Sequence, residues 1–192
     1  MNSLEAQKVI SRYRDNAAVI ATYTTNREWP QVSDNPSLDL LFAGGMGKAS
    51  SLGLGLAIAC RYLKVIVLDG DGSLLMNLGS MVTISHMAPP NLIHFLFENG
   101  VYRTTGGQPI PNVATISFSG MARASGYANV YEFEEVESLA ERIPVILKQA
   151  GPTFVCLKIE PSAKKSPLPY TTTSLSRIAQ FKKAVADSNA DI

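Results

Sequence analysis

The sequence predicts an α/β fold: a mainly parallel sheet in three layers, with helices on both faces. Two observations lead there. Strand-like apolar runs alternate with helix-like stretches along the chain. The run KVIVLDG (64–70) is unbroken rather than alternating, as in strands covered on both sides.

The elements follow in order. Ser3 before LEAQKVISRYR predicts a helix capped by the Ser3 hydroxyl. AVIATY (18–23) is a short strand, and the polar, proline-bearing stretch 24–38 is expected to be loop. DLLFAGG (39–45) is a second strand ending in glycines. A helix over 48–62 contains Gly53 and Gly55, where backbone can lie close against a sheet. After the strand 64–70, residues 73–87 predict one helix, stopped by Pro89 and Pro90. NLIHFLFEN (91–99) is the next strand. The Gly-, Thr- and Pro-rich stretch 100–115 is a long loop, and loops of that length are usually functional. Residues 118–126 predict a helix. Val136, Leu139, Ala140, Ile143 and Leu147 mark one helical face, with a kink or restart expected at Pro144. TFVCLKIE (153–160) is the last strand. The whole chain, 1–192, is read as one domain, with 161–192 a Pro-containing tail and a final helix from about Leu175 to Ala186.

Composition narrows the function. The chain has 192 residues, 46% of them hydrophobic and 17% charged, and a net charge of +1. That balance gives no reason to expect nucleic acid or a membrane surface as a partner. No apolar run reaches the roughly 20 residues of a membrane helix, and the N-terminus has no apolar signal region. Cys60 and Cys156 are expected to be buried reduced thiols, in a cytoplasmic setting. His86 and His94 are expected to be structural or surface residues.

Several motifs fail. Gly47-Lys48 lacks the earlier Gly and the following Ser or Thr of a P-loop. Gly70 and Gly72 are followed by Leu75 where a dinucleotide fingerprint needs Gly. Asp69, Asp71 and Ser73 lack the Gly and Glu of an EF-hand. Cys60, His86, His94 and Cys156 have no zinc spacing, and no G-x-S-x-G elbow is present.

One constellation remains. Gly70-Asp71-Gly72-Ser73 follows one buried strand and Asn99-Gly100 follows the next, with 25 residues between Gly72 and Glu98. In a right-handed βαβ unit both strand ends emerge on one edge of the sheet, so Asp71 and Asn99 can converge. A carboxylate, an amide oxygen and a loop carbonyl are the hard ligands Mg²⁺ takes, completed by phosphates and water. The glycines let backbone approach those phosphates, and a helix starting near Ser73 aims its amides at them. On spacing alone, two simple turns remain the alternative.

GDGS, 25 intervening residues and ENG resemble the thiamine diphosphate motif, GDG followed by a pair that is usually Asn-Asn. Glu98 replaces the first Asn, and Asn99 matches the second. LLFAGGMGKASSLGLGLA, ENGVYRTTGGQPIP and LKIEPS resemble the diphosphate-binding domain of phosphonopyruvate and sulfopyruvate decarboxylases, over roughly 35–165, and most nearly a separate sulfopyruvate decarboxylase β subunit.

The resemblance implies roles. Asp71 and Asn99 would bind Mg²⁺ through side chains and Val101 through its carbonyl. Gly70, Gly72 and Ser73 would meet the diphosphate. Gly44, Gly45 and Met46 would approach the thiazolium and pyrimidine, with Met46 an apolar wedge. Tyr102 stands where phosphonopyruvate enzymes commonly carry His, and Gly106-Gly107-Gln108 would form a loop over the site. Lys48 and Arg103 flank these motifs as candidates for holding a sulfonate or phosphonate. Met46, Lys48 and Tyr102 are the candidate catalytic residues. The activity implied is decarboxylation of an anionic 2-oxo acid of the sulfopyruvate or phosphonopyruvate type, with the cofactor as electron sink.

The activating Glu of the superfamily belongs to a pyrimidine-binding domain. Glu5, Glu28, Glu132, Glu134 and Glu135 lie in no matching context. An α-type partner subunit carrying that Glu is therefore expected, in a hetero-oligomer, with a homodimer as the form of the chain alone. Two alternatives stay open: half of another thiamine enzyme, such as an acetolactate-type synthase or an oxidoreductase, or a non-catalytic phosphate- or nucleotide-binding module.

Overall fold

The computed structural model describes residues 1–42, 45–161 and 175–188. A six-stranded sheet runs through it, formed by β1 (Ala18–Thr22), β2 (Asp39–Phe42), β3 (Val65–Gly70), β4 (Leu92–Glu98), β7 (Asn129–Phe133) and β8 (Thr153–Lys158). The spatial order is β2-β1-β3-β4-β8-β7, and every pairing is parallel. A separate small hairpin pairs β5 (Val101–Tyr102) with β6 (Gln108–Pro109) inside the expected loop.

Helices cover both faces, as the unbroken apolar strands require. On one face, Ala6 and Ile10 of α1 (Ser3–Arg12) and Leu139, Ile143 and Ile146 of α7 (Val136–Ile146) pack on Ile66, Leu68, Phe95 and Val155. On the other face lie α3 (Ala49–Ala59), α4 (Asp71–Leu75), α5 (Gly79–Met87) and α6 (Phe118–Ser125). Leu54, Leu74, Met81 and Phe118 there meet Val65, Val67, Leu96 and Phe154. Finally α8 (Leu175–Asp187) lays Phe181 and Val185 against Ala18 and Leu38.

Five expectations are corrected. Asn2, not Ser3, caps α1: its side chain accepts from the Leu4 and Glu5 amides, while Ser3 donates to Glu28. Residues 24–38 are not all loop. They contain α2 (Tyr23–Glu28) and two short 3-10 turns, anchored where the Thr25 hydroxyl reaches the Leu68 carbonyl at 2.8 Å. The helix expected over 73–87 is broken between α4 and α5, where the Asn77 side chain donates to the Gly47 carbonyl at 2.8 Å. Helix α7 runs through Pro144 and ends two residues later, because buried Ile143 and Ile146 hold that last turn. Cys60 is half-buried, whereas Cys156 is fully buried; both are free thiols. Strand β7, with its half-buried NVYEF pattern, has no counterpart in the sequence reading.

The two helical glycines differ. A Cβ at Gly53 would lie 2.2 Å from the Val67 methyl, whereas one at Gly55 meets nothing within 4 Å. Gly53→Ala is therefore expected to cost about 1–3 kcal/mol through overpacking. Gly55→Ala should gain about 0.5–1 kcal/mol in an exposed helix. Denaturant unfolding of the two variants checks the opposite signs, with Val67→Ala expected to relieve the first.

Candidate functional site

The site lies at the carboxyl ends of the three adjacent strands β1, β3 and β4, where α/β sheets place their ligands. An open cleft lies there. Its walls include Gly70, Asp71, Gly72 and Ser73 after β3, and Asn99, Val101, Tyr102, Arg103 and Thr104 after β4.

The parallel register sets Gly70 beside Phe97. Asp71 and Asn99 consequently meet, as their spacing implied. The Asp71 Oδ2 accepts from the Asn99 amide at 2.9 Å and the Gly100 amide at 2.6 Å. Its Oδ1 accepts from the Gly72 amide at 2.7 Å. Gly100 makes the turn with φ +76°. Asn99 folds back to accept from the Val101 amide at 2.9 Å.

Asp71 is only 2% exposed. Burial raises its pKa from the ordinary 3.8 to about 6; the amides of Gly100, Gly72 and Asn99 pull the other way, and nearby Glu98 adds to the rise. A carboxylate held in this way is poorly compensated until a cation joins it. Three amides occupy three of its roughly four acceptor positions, and the Asn99 oxygen has two lone pairs, so both can still take a cation. The Ile110 amide donates to the Gly100 carbonyl, so Val101 and Pro109 form a non-hydrogen-bonded pair and the Val101 carbonyl points away from the partner strand. These oxygens fit a hard divalent cation. Among the described residues no group of three His, Cys, Asp or Glu side chains converges, so such an ion relies on amide and main-chain oxygens.

The glycine of the GDG turn has a steric reason. A Cβ at Gly72 would lie 2.6 Å from the Tyr102 ring. The Ser73 hydroxyl accepts from the Gly47 amide at 3.0 Å, tying the turn after β2 to the start of α4. Met46 lines the cleft from that turn. Gly45 does not line it, and Gly44 lies outside the described residues.

The two candidate cations separate. Lys48 is exposed and does not line the cleft. Arg103 lines the cleft, with its guanidinium 3.1 Å from Glu28. Glu28 is itself buried and accepts from Ser3 at 2.6 Å and Gln7 at 2.8 Å. Gly106 and Gly107 form the exposed turn between β5 and β6 rather than a cleft wall.

Sequence reasoning missed the segment Thr22, Tyr23, Thr24 and Thr25, which forms the third wall. Thr22 is 1% exposed; its side chain caps α2 at the Thr25 amide, and no acceptor for its hydroxyl proton is found among the described residues. A buried hydroxyl proton without an acceptor is costly unless a ligand takes it. The available signal was that AVIAT is a strand whose end falls on the same sheet edge, followed by hydroxyl residues. His94 is fully buried against Tyr127 and Asp69, away from the cleft, and His86 is exposed. No helix among the described residues is long and apolar enough to cross a membrane.

The chain is similar to known proteins. Residues 17–157 match the family model described as thiamine pyrophosphate enzyme, C-terminal TPP binding domain. The chain is 37% identical to a phosphonopyruvate decarboxylase of Streptomyces viridochromogenes, over 78% of its own length but 37% of the relative's. It is 37% identical to a sulfopyruvate decarboxylase subunit beta of Methanothermobacter thermautotrophicus, over 74% of this chain and 73% of that one. Among solved structures, a thiamine diphosphate-dependent 4-hydroxybenzoylformate decarboxylase of Rhodococcus jostii superposes with a TM-score of 0.70 at 18% identity, covering 85% of this chain and 33% of that one. A benzoylformate decarboxylase of Polynucleobacter necessarius gives 0.69 at 19% identity, covering 85% and 34%. The chain thus spans about a third of these larger enzymes and most of the β subunit.

Proposed function

Because this chain belongs to the thiamine pyrophosphate enzymes, as a C-terminal TPP-binding domain, we propose that it is the diphosphate-binding subunit of a decarboxylase for an anionic 2-oxo acid of the sulfopyruvate or phosphonopyruvate type. The convergence of Asp71 and Asn99 on one rim carries the reading.

Asp71, Asn99 and the Val101 carbonyl hold Mg²⁺. Gly70, Gly72 and Ser73 face the diphosphate, where a side chain at Gly72 would be driven into Tyr102. The Thr22 hydroxyl is a further donor on that wall. Met46 supports the cofactor's ring region from the cleft wall. Bound thiamine diphosphate supplies a carbon nucleophile and an electron sink for loss of CO₂. This chain's own work is to position the diphosphate, shield it with Tyr102, and present Arg103 to the acid's second anionic group. Cytoplasmic assembly with an α-type subunit, which brings the activating Glu, completes the enzyme. Glu28, which pairs with Arg103 of the cleft, is committed to Ser3, Gln7 and Arg103 and does not fill that role.

The test is direct. The purified chain with thiamine diphosphate, Mg²⁺ and sulfopyruvate is expected to show no turnover alone and to gain it with the subunit that co-purifies with the native protein. Robust turnover by the chain alone would refute the two-subunit reading.

A further inference from the structure

We propose that Lys158 is a positioning residue of the metal loop: it holds Glu98, and through Glu98 it fixes the turn that grips Asp71. The proposal deepens the reading of Asp71 and Asn99 as metal ligands and rests on it for its functional meaning.

The chain of contacts is short. Lys158 and Glu98 are register partners at the ends of β8 and β4. The Lys158 ammonium lies 2.7 Å from the Glu98 carboxylate. The Cys156 thiol donates to the same oxygen at 3.0 Å. The Ile159 amide donates to the Glu98 carbonyl at 2.9 Å. Cys156 and Lys158 of β8, with Ile159 just after it, therefore pin Glu98 by both side chain and main chain. The next two amides, of Asn99 and Gly100, are the ones that hold Asp71.

Glu98 is the last residue of β4, so ladder bonding gives out where the turn begins. It also stands in the place of the motif's first Asn. A carboxylate this little exposed needs a countercharge, and Lys158 provides one. Burial opposes the ammonium's charge, but Glu98, Cys156 and Glu132 around it outweigh that cost and raise its pKa. The Glu132 carboxylate is bonded in turn by the Ser119 hydroxyl. Without Lys158 the carboxylate is left to find water, and the turn following it loses its fixed origin.

Amide hydrogen exchange of the full chain tests this without any ligand. Lys158→Met is expected to speed exchange at the Asn99 and Gly100 amides about tenfold, the scale of one charge-assisted bond, while Val67 and Phe95 keep their rates. Lys158→Arg should stay within about twofold of the wild type. Unchanged exchange at Gly100 in Lys158→Met would overturn the proposal, as would an equal rise at Val67 and Phe95. Should Lys158→Met not fold, Glu98→Gln, which removes the charge at similar volume, is expected to shift the same two amides, and an unshifted result again overturns it. In a second arm, Mn²⁺ affinity measured with thiamine diphosphate should weaken about tenfold in Lys158→Met; an unchanged affinity would deny the pair a functional role. A wild-type chain that takes no Mn²⁺ in either oligomeric form would instead count against the proposed function, and the exchange result would stand apart from it.

Discussion

Asp71→Asn is expected to weaken binding of Mg²⁺ with thiamine diphosphate about a thousandfold, since losing two charge-assisted contacts of about 2 kcal/mol each gives that factor. The substitution is nearly isosteric, yet three amides point at this side chain. A carboxamide brings its own N–H₂ against at least one of them, and it brings no charge for the cation. Calorimetry with Mg²⁺ and thiamine diphosphate reads the loss, and affinity within tenfold of the wild type would remove Asp71 from the metal site. The same variant has a second signature in the ligand-free protein. The folded-state pKa is raised from 3.8 to about 6, so between those values the folded chain binds more protons than the unfolded one. Stability therefore falls as pH rises from about 4 to about 6, by on the order of 3 kcal/mol. Asp71→Asn should flatten that slope. Unfolding midpoints across this range check it, and a slope that persists in the variant assigns the titration elsewhere.

Arg103→Met is expected to raise KM for sulfopyruvate about 10- to 100-fold while changing KM for pyruvate less than threefold, which is the worth of one charge-assisted bond to the extra anion. Arg103 is the one basic side chain among the described cleft residues. Glu28 orients the guanidinium at one end, and Ser3 and Gln7 of α1 hold Glu28 in turn. A guanidinium fork fixed in this way loses little entropy on meeting a sulfonate or phosphonate. The measurement is steady-state kinetics of the chain with its partner subunit, comparing both acids. Equal effects on the two would make Arg103 a structural residue only. Lys48→Ala serves as the control, and its exposed position outside the cleft predicts small effects on both acids.

The sheet and the meeting of Asp71 with Asn99 were legible because they rest on strong local signals. Unbroken apolar runs make buried strands, and a right-handed crossover fixes which ends share an edge. What stayed hidden depends on contacts between distant segments. Helix α2 is too short and polar to show periodicity, and its anchor is a Thr25 bond to Leu68 on β3. The break before α5 comes from Asn77 reaching Gly47. Which of Lys48 and Arg103 lines the cleft could not be read from flanking position, since each sits beside a motif and only the folded chain places Arg103 there. Glu98 looked like an imperfect motif residue until the β4–β8 register put Lys158 beside it.

Three of the chain stretches that wall the cleft, near residues 22–25, 70–73 and 97–104, come together only when β1, β3 and β4 lie side by side. Fragments and half-made chains therefore have nothing to offer an occupant. Whatever fills the cleft favours the finished molecule by mass action, adding about 2.7 kcal/mol at a hundred times its dissociation constant. When that occupant is scarce the contribution is lost, and proteases would meet more of the opened polypeptide.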